Sequence, residues 1–109
     1  IGLEKRPIFI EIKSPLPNLD VCKETKRKIL TFKVLNYIKS EGAYTGEGYI
    51  ALYYNPFYPD DYEYWTVRKI FDIKREVLVG EEFWNFIGGE NTYIELLELI
   101  EEVKKEIRH

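Results

Sequence analysis

The stretch Ile8-Phe9-Ile10-Glu11-Ile12-Lys13-Ser14-Pro15-Leu16-Pro17-Asn18 decides the fold. Its first six residues are rich in β-branched and aromatic side chains and stop at Ser14-Pro15, which predicts a strand over 8–13. Side chains alternate along a strand, so Ile8, Ile10 and Ile12 share one face, predicted to be buried, while Phe9, Glu11 and Lys13 share the other. A carboxylate and an ammonium then project side by side from the carboxyl end of the strand. Such a pair can hold a divalent metal and poise a water beside it, as metal-assisted phosphodiester hydrolysis requires. A solvent-facing ion pair on an amphipathic strand satisfies the same six residues.

Downstream, the prolines of Ser14-Pro15-Leu16-Pro17 forbid helix, and Asn18 or Asp20 can cap the next element. A long helix is predicted from Leu19 to Ser40, with Val21/Cys22, Thr25, Ile29, Phe32 and Asn36 near one stripe and Gly42 as its stop. Leu30, Val34, Tyr37 and Ile38 continue an apolar surface beside that stripe. Tyr49 to Tyr54 reads as a strand buried on both faces and ended by Asn55-Pro56. Strand, connection, helix and strand make a βαβ crossover, so 8–13 and 49–54 should run parallel, with Glu11 and Lys13 at the end where such sheets bind ligands. Upstream, Ile1-Gly2-Leu3 reads as the tail of a strand and Glu4 to Pro7 as a hairpin turn.

Phe57 to Trp65 is an aromatic, acidic loop suited to base recognition, to a dimer interface or simply to packing. Thr66 to Val79 fits either a short helix or irregular strand. Glu81 to Ile87 predicts a short helix ended by Gly88-Gly89, with Phe83 and Trp84 as core. Thr92 and Glu95 have capping-box spacing for a last helix, with Tyr93, Leu96, Leu97, Ile100, Val103, Lys104 and Ile107 as its inward stripe.

At 109 residues the chain suits one domain, 45% hydrophobic. No apolar stretch approaches the roughly 20 residues that span a bilayer, and no signal peptide opens the sequence, so no membrane is expected. Cys22 is the single cysteine, which excludes an intrachain disulfide and fits a reducing, cytoplasmic setting. Absence of Met and a start at Ile1 suggest a fragment or a trimmed product, and the lack of Gln with abundant Lys, Glu and Ile leans thermophilic. His109, being terminal, reads as an exposed end.

The net charge of −3 hides an asymmetry. Residues 1–40 carry nine Lys/Arg against four acids, net +5, and residues 41–109 carry seven against fifteen, net −8. The basic half holds Glu11 and Lys13, and suggests that one surface faces a polyanion. Lys23, Lys26, Arg27 and Lys28 crowd the first half of the predicted helix, where cations oppose the macrodipole. Phosphate binding accounts for such a cluster, as does a solvated face neutralised by Asp20 and Glu24.

Pro7 to Asn18, with its Glu-Ile-Lys-Ser-Pro-Leu-Pro-Asn run, resembles the second half of the PD-(D/E)xK nuclease motif, and in particular type II restriction endonucleases of the TdeIII type. The similarity continues through the basic helix at Glu24 to Leu30, through Tyr54-Asn55-Pro56 and through Val77 to Gly89, in the family's order. The resemblance implies an α/β fold: a partial restriction-endonuclease-like core, with a mixed sheet and flanking helices, residues 1–109 forming the carboxyl-terminal part of a single endonuclease domain. It implies magnesium-dependent hydrolysis of double-stranded DNA at a short specific site by a homodimer. Glu11 and the carbonyl of Ile12 would be metal ligands, Lys13 would act on the attacking water, and Lys23, Lys26, Arg27 and Lys28 would bind DNA. The motif's first acid, an Asp, has no counterpart in residues 1–10; it is expected upstream of Ile1, leaving the fragment inactive alone. A repair or junction-resolving nuclease of the same superfamily, and a non-catalytic DNA-binding or interaction module, remain alternatives.

Overall fold

A computed structural model describes residues 7–107, so the readings placed on residues 1–6 and on His109 lie outside the described residues. Strand β1 (Ile8–Lys13) leads through the proline connection into helix α1 (Leu19–Lys39) and back into strand β2 (Glu47–Leu52). Two short helices, α2 (Trp65–Ile70) and α3 (Ile73–Glu76), precede strand β3 (Val77–Val79), and helices α4 (Glu81–Gly88) and α5 (Thr92–Ile107) complete the described chain. The three described strands are parallel, in the order β1-β2-β3. The architecture is α/β, with the expected βαβ crossover.

The sequence accounts for α1 closely. Asn18 is the cap, its side chain accepting from the Val21 N–H at 2.8 Å. The helix ends at Lys39, and Gly42 at φ +85° donates its N–H to the Tyr37 carbonyl at 2.8 Å. Cys22, Thr25 and Ile29 are buried along the predicted inner stripe. Beneath them Gly48 lets β2 approach so closely that an added Cβ would stand 2.5 Å from Ile29 Cγ2.

The second strand begins at Glu47 rather than Tyr49, and Tyr53 and Tyr54 have left it in an exposed bend.

Opposed residues in neighbouring strands share a face, and Glu11 pairs with Ile50 as Lys13 pairs with Leu52. Phe9 meets Phe32 of α1 with ring centroids 5.5 Å apart. Helix α1 therefore covers the face of Phe9, Glu11 and Lys13, and with it the core of Ile50, Leu52, Val77 and Val79. The isoleucine face was expected to be the buried one. It is instead the open one, with Ile8 47% and Ile12 56% exposed. On that side α4 covers only the middle of the sheet, where Phe86 packs on Tyr49 at 5.2 Å and Phe83 is buried.

Residues 66–79 resolve into two helical turns and a strand rather than one element. Asp72 starts α3 by accepting from the Lys74 N–H at 3.1 Å. The capping box proposed for α5 is absent: Thr92 is the first helical residue, and Asn85 of α4 instead accepts from the Tyr93 N–H at 3.0 Å. Only Tyr93 and Leu96 of the expected inward stripe are half-buried; Leu97, Ile100, Val103 and Ile107 are exposed.

The Gly48 approach gives a test. Gly48→Ala forces Ile29 or the strand to move, and should destabilise the fold by about 1–3 kcal/mol, read as a lowered midpoint in urea denaturation.

Candidate active site

Glu11 sits on the edge strand of the described sheet, on the side α1 covers, near the strand's carboxyl end. A carboxylate drawn under a helix needs a cation close by, because burial disfavours an unpaired charge. Two cations converge on one of its oxygens. Lys28 Nζ of α1 donates to Glu11 Oε1 at 3.1 Å, and Lys13 Nζ lies 3.6 Å from the same atom. The other oxygen, Oε2, is buried and accepts no hydrogen bond from the described residues.

An unpartnered buried carboxylate oxygen loses hydration without compensation, so it is the atom a cation would satisfy. Among the described residues no three His, Cys, Asp or Glu side chains gather closely enough to hold a metal. Magnesium keeps several waters and needs only one or two protein carboxylates together with substrate phosphate oxygens, so the Glu11 oxygen fits that ion as one ligand of few.

The four cations predicted to form one DNA-binding cluster separate into three environments. Helical residues turn 100° each, which puts Lys26 and Lys28 roughly 80° to either side of the buried stripe and Lys23 and Arg27 on the far side. Lys28 faces β1 and Glu11. Lys26 faces α3, where its Nζ lies 2.6 Å from both oxygens of Glu76, which also accepts from the Asp72 N–H at 2.9 Å. The Lys26 ammonium also stands 5.6 Å from the centre of the Phe71 ring.

Arg27 pairs with Glu24 one turn before it, and each steadies the other's charged form, lowering the Glu24 pKa and raising that of Arg27. Lys23, Arg27 and Lys69, with Lys26 at its inner side, border a groove of about 570 Å³ between α1 and α2, floored by Leu30, Val34 and Ile70. Lys69 is absent from the residues the sequence singles out, because α2 itself is not resolved by pattern alone. The separation of Lys26 from Lys28 is available from the helical wheel.

The connection between Lys13 and α1 is clamped from the aromatic loop and the start of α2. Tyr62 Oη donates to the Pro15 carbonyl at 2.5 Å, and Thr66 Oγ1 to the Pro17 carbonyl at 2.7 Å. Both prolines are buried, and burial pushes the Tyr62 phenol well above its ordinary pKa, so it remains a donor. Tyr62 and Thr66 thus pack and clamp the connection, holding the chain just past Lys13 in place. Cys22 is buried in the same cluster and its thiol pKa is raised by desolvation, the opposite of what a nucleophile needs.

Comparison with known proteins identifies the family. The family described as HinfI, a type II restriction endonuclease, matches residues 3–104. Two type II restriction enzymes of Herpetosiphon aurantiacus, HgiCII and HgiEI, are 38% and 37% identical to the chain over 98 residues. Each alignment covers 88% of this chain and 35% of the relative, so the chain spans about a third of the length of the enzymes it resembles. No solved structure matches. The chain belongs to the HinfI family of type II restriction endonucleases. The resemblance read from the sequence therefore holds at the level of type II restriction enzymes, and the matching family is HinfI where the TdeIII type was expected.

Because Lys26 neutralises Glu76, which is only 7% exposed, its loss leaves a nearly buried carboxylate unpaired. Lys26→Met should cost about 2–4 kcal/mol, somewhat less than a fully buried pair because Lys26 itself reaches solvent. The double variant Lys26→Met, Glu76→Met should recover part of that loss in thermal denaturation, and Arg27→Ala should leave stability unchanged.

Proposed function

We propose that this HinfI-family chain carries the Glu-x-Lys half of a PD-(D/E)xK active site, in a type II restriction endonuclease that hydrolyses phosphodiester bonds of double-stranded DNA. The observation that supports the reading most is the pair of ammoniums converging on Glu11 Oε1 while Oε2 has no partner among the described residues, at the carboxyl end of a parallel strand. An ion pair that merely stabilised the surface would not need its second oxygen buried and unpaired.

Glu11, with the Ile12 carbonyl, would hold magnesium, which when bound supplies charge neutralisation at the scissile phosphate and acidifies a water. Lys13 orients the attacking water, and its ammonium faces the charge that develops on the phosphate. Lys23 and Arg27, on the outer side of α1, contact phosphates along the groove toward Lys69. Lys26, whose charge is matched by Glu76, contributes by fixing α1 rather than by touching DNA.

The far edge of β1 has no partner among the described residues. A strand pairing there would place a side chain about 5 Å from Glu11, which is the position for the motif's first acid, the Asp. The intact enzyme would act as a homodimer, its symmetry matching a short palindromic site.

In the natural protein containing this chain, Lys13→Ala should lower plasmid cleavage with magnesium by roughly 10²–10⁴-fold while leaving duplex binding in calcium nearly unchanged, because Lys13 acts on the transition state. Glu11→Ala should abolish cleavage likewise. Full cleavage by either variant would assign Glu11 and Lys13 to a structural ion pair, and the non-catalytic module would become the better reading.

A further inference from the structure

Lys28 was expected to contact DNA, yet it is the closer of the two cations on Glu11. Its Nζ donates to Oε1 at 3.1 Å, whereas Lys13 Nζ lies at 3.6 Å, beyond hydrogen-bonding distance. The two lysines differ in what holds them. Lys13 lies on the strand itself, two residues from Glu11, and on the same face. Lys28 reaches across from the rigid middle of a 21-residue helix whose inner stripe is packed on β2. Residues fixed by a packed element hold a partner's orientation better than a neighbour on the same edge strand does.

A carboxylate with one oxygen engaged by a fixed ammonium has its rotation about the terminal torsion restricted. The other oxygen then keeps a constant direction. In Glu11 that other oxygen is Oε2, the atom with no hydrogen-bond partner among the described residues.

We infer that Lys28 is a positioning residue: by holding Glu11 Oε1 from α1 it aims Oε2 at a divalent cation and leaves Lys13 free to turn to the water and phosphate. The inference rests on the nuclease reading above, and it takes Lys28 out of the set of phosphate contacts. Were Lys28 absent, Lys13 would be the one cation left on this largely buried carboxylate among the described residues, and would be held there instead of serving the reaction. The partners that orient a metal-binding side chain affect metal affinity about 10–100-fold, which sets the expected size of the effect.

The test is Lys28→Ala, with Lys28→Arg as the charge-retaining control, in the natural protein containing this chain. Manganese binding by titration calorimetry should weaken about 10–100-fold in Lys28→Ala, and the magnesium concentration for half-maximal cleavage should rise in parallel. KM for duplex and the slope of log K against log salt should not change, and Lys28→Arg should restore most of the metal affinity. A salt slope lowered by about 0.9 with metal affinity unchanged would make Lys28 a phosphate contact and overturn the proposal. Unchanged metal affinity and unchanged slope would also overturn it, leaving a surface ion pair. Lys13→Ala separates this failure from that of the nuclease reading: if it cleaves fully, the reading falls, while the calorimetry still reports on whether Lys28 sets Glu11. Wild-type protein that binds no manganese would overturn both. Lys28 is well exposed, and Lys28→Met, which keeps the aliphatic stem, repeats the calorimetry should Lys28→Ala lose its cooperative thermal transition.

Discussion

A carboxylate placed on the covered face of an edge strand must be neutralised by whatever lies over it, and this constraint ties the candidate site to the fold. Glu11 lies under α1 because its strand register sets it beside Ile50, in the layer that packs on Cys22, Thr25 and Ile29. Had the isoleucines faced the helix, Glu11 would have been hydrated and its pairing with Lys13 worth little. Placed as it is, Glu11 couples the strand to the helix through Lys28, so the geometry of the site depends on how α1 seats on the sheet. Gly48 sets that seating from below, and the Tyr62 and Thr66 hydrogen bonds to Pro15 and Pro17 set it from the end where the chain enters the helix.

The same seating divides the basic cluster of α1. A helix over the middle strand of a parallel sheet looks toward one neighbouring strand on each flank and toward solvent behind. Lys28 looks toward β1, Lys26 toward the start of β3 at Glu76, and Lys23 and Arg27 outward. Each inward cation meets one acid from a different part of the chain, Glu11 upstream and Glu76 downstream. The charge asymmetry between the two halves of the sequence is therefore partly internal. Some of the positive charge that suggests a polyanionic partner serves instead to hold the layers together.

Much of this was legible in the sequence because the signals were local. The strand at 8–13, the Asn18 cap, the helix and its Cys22-Thr25-Ile29 stripe are each set by residues within a few positions of one another. The crossover came from their order. The features that could not be read depended on contacts across the fold. Ile8, Ile10 and Ile12 are more apolar than Phe9, Glu11 and Lys13, so alternation alone favours burying them, and only the position of α1 decides otherwise. Tyr53 and Tyr54 have strong β propensity but lie past Leu52, the last residue that either neighbouring strand pairs, opposite Lys13 and Val79. The Asn85 bond to the Tyr93 N–H likewise replaced a local capping box with a contact from the preceding helix.

The uncovered apolar surface has its origin in the same layering. Helix α1 has a second apolar side, Leu30, Val34 and Ile38, facing away from the sheet, and α5 buries none of its residues although Leu97, Ile100 and Val103 align along it. With Ile8 and Ile12 these leave three separate apolar faces without cover among the described residues. The radius of gyration, 16.5 Å, exceeds the roughly 13 Å of a compact domain of this length. Isolated helices of about this length are marginal in water, so a 16-residue helix like α5 draws its stability from what its apolar stripe touches. The layers described, helix over sheet over helix, are thus complete only in the centre, over β2. Toward the β1 edge the sheet is covered on the side that carries Glu11 and open on the side that carries Ile12. A strand added at that edge would extend the sheet beside Glu11, while a layer added beneath would close over the isoleucines.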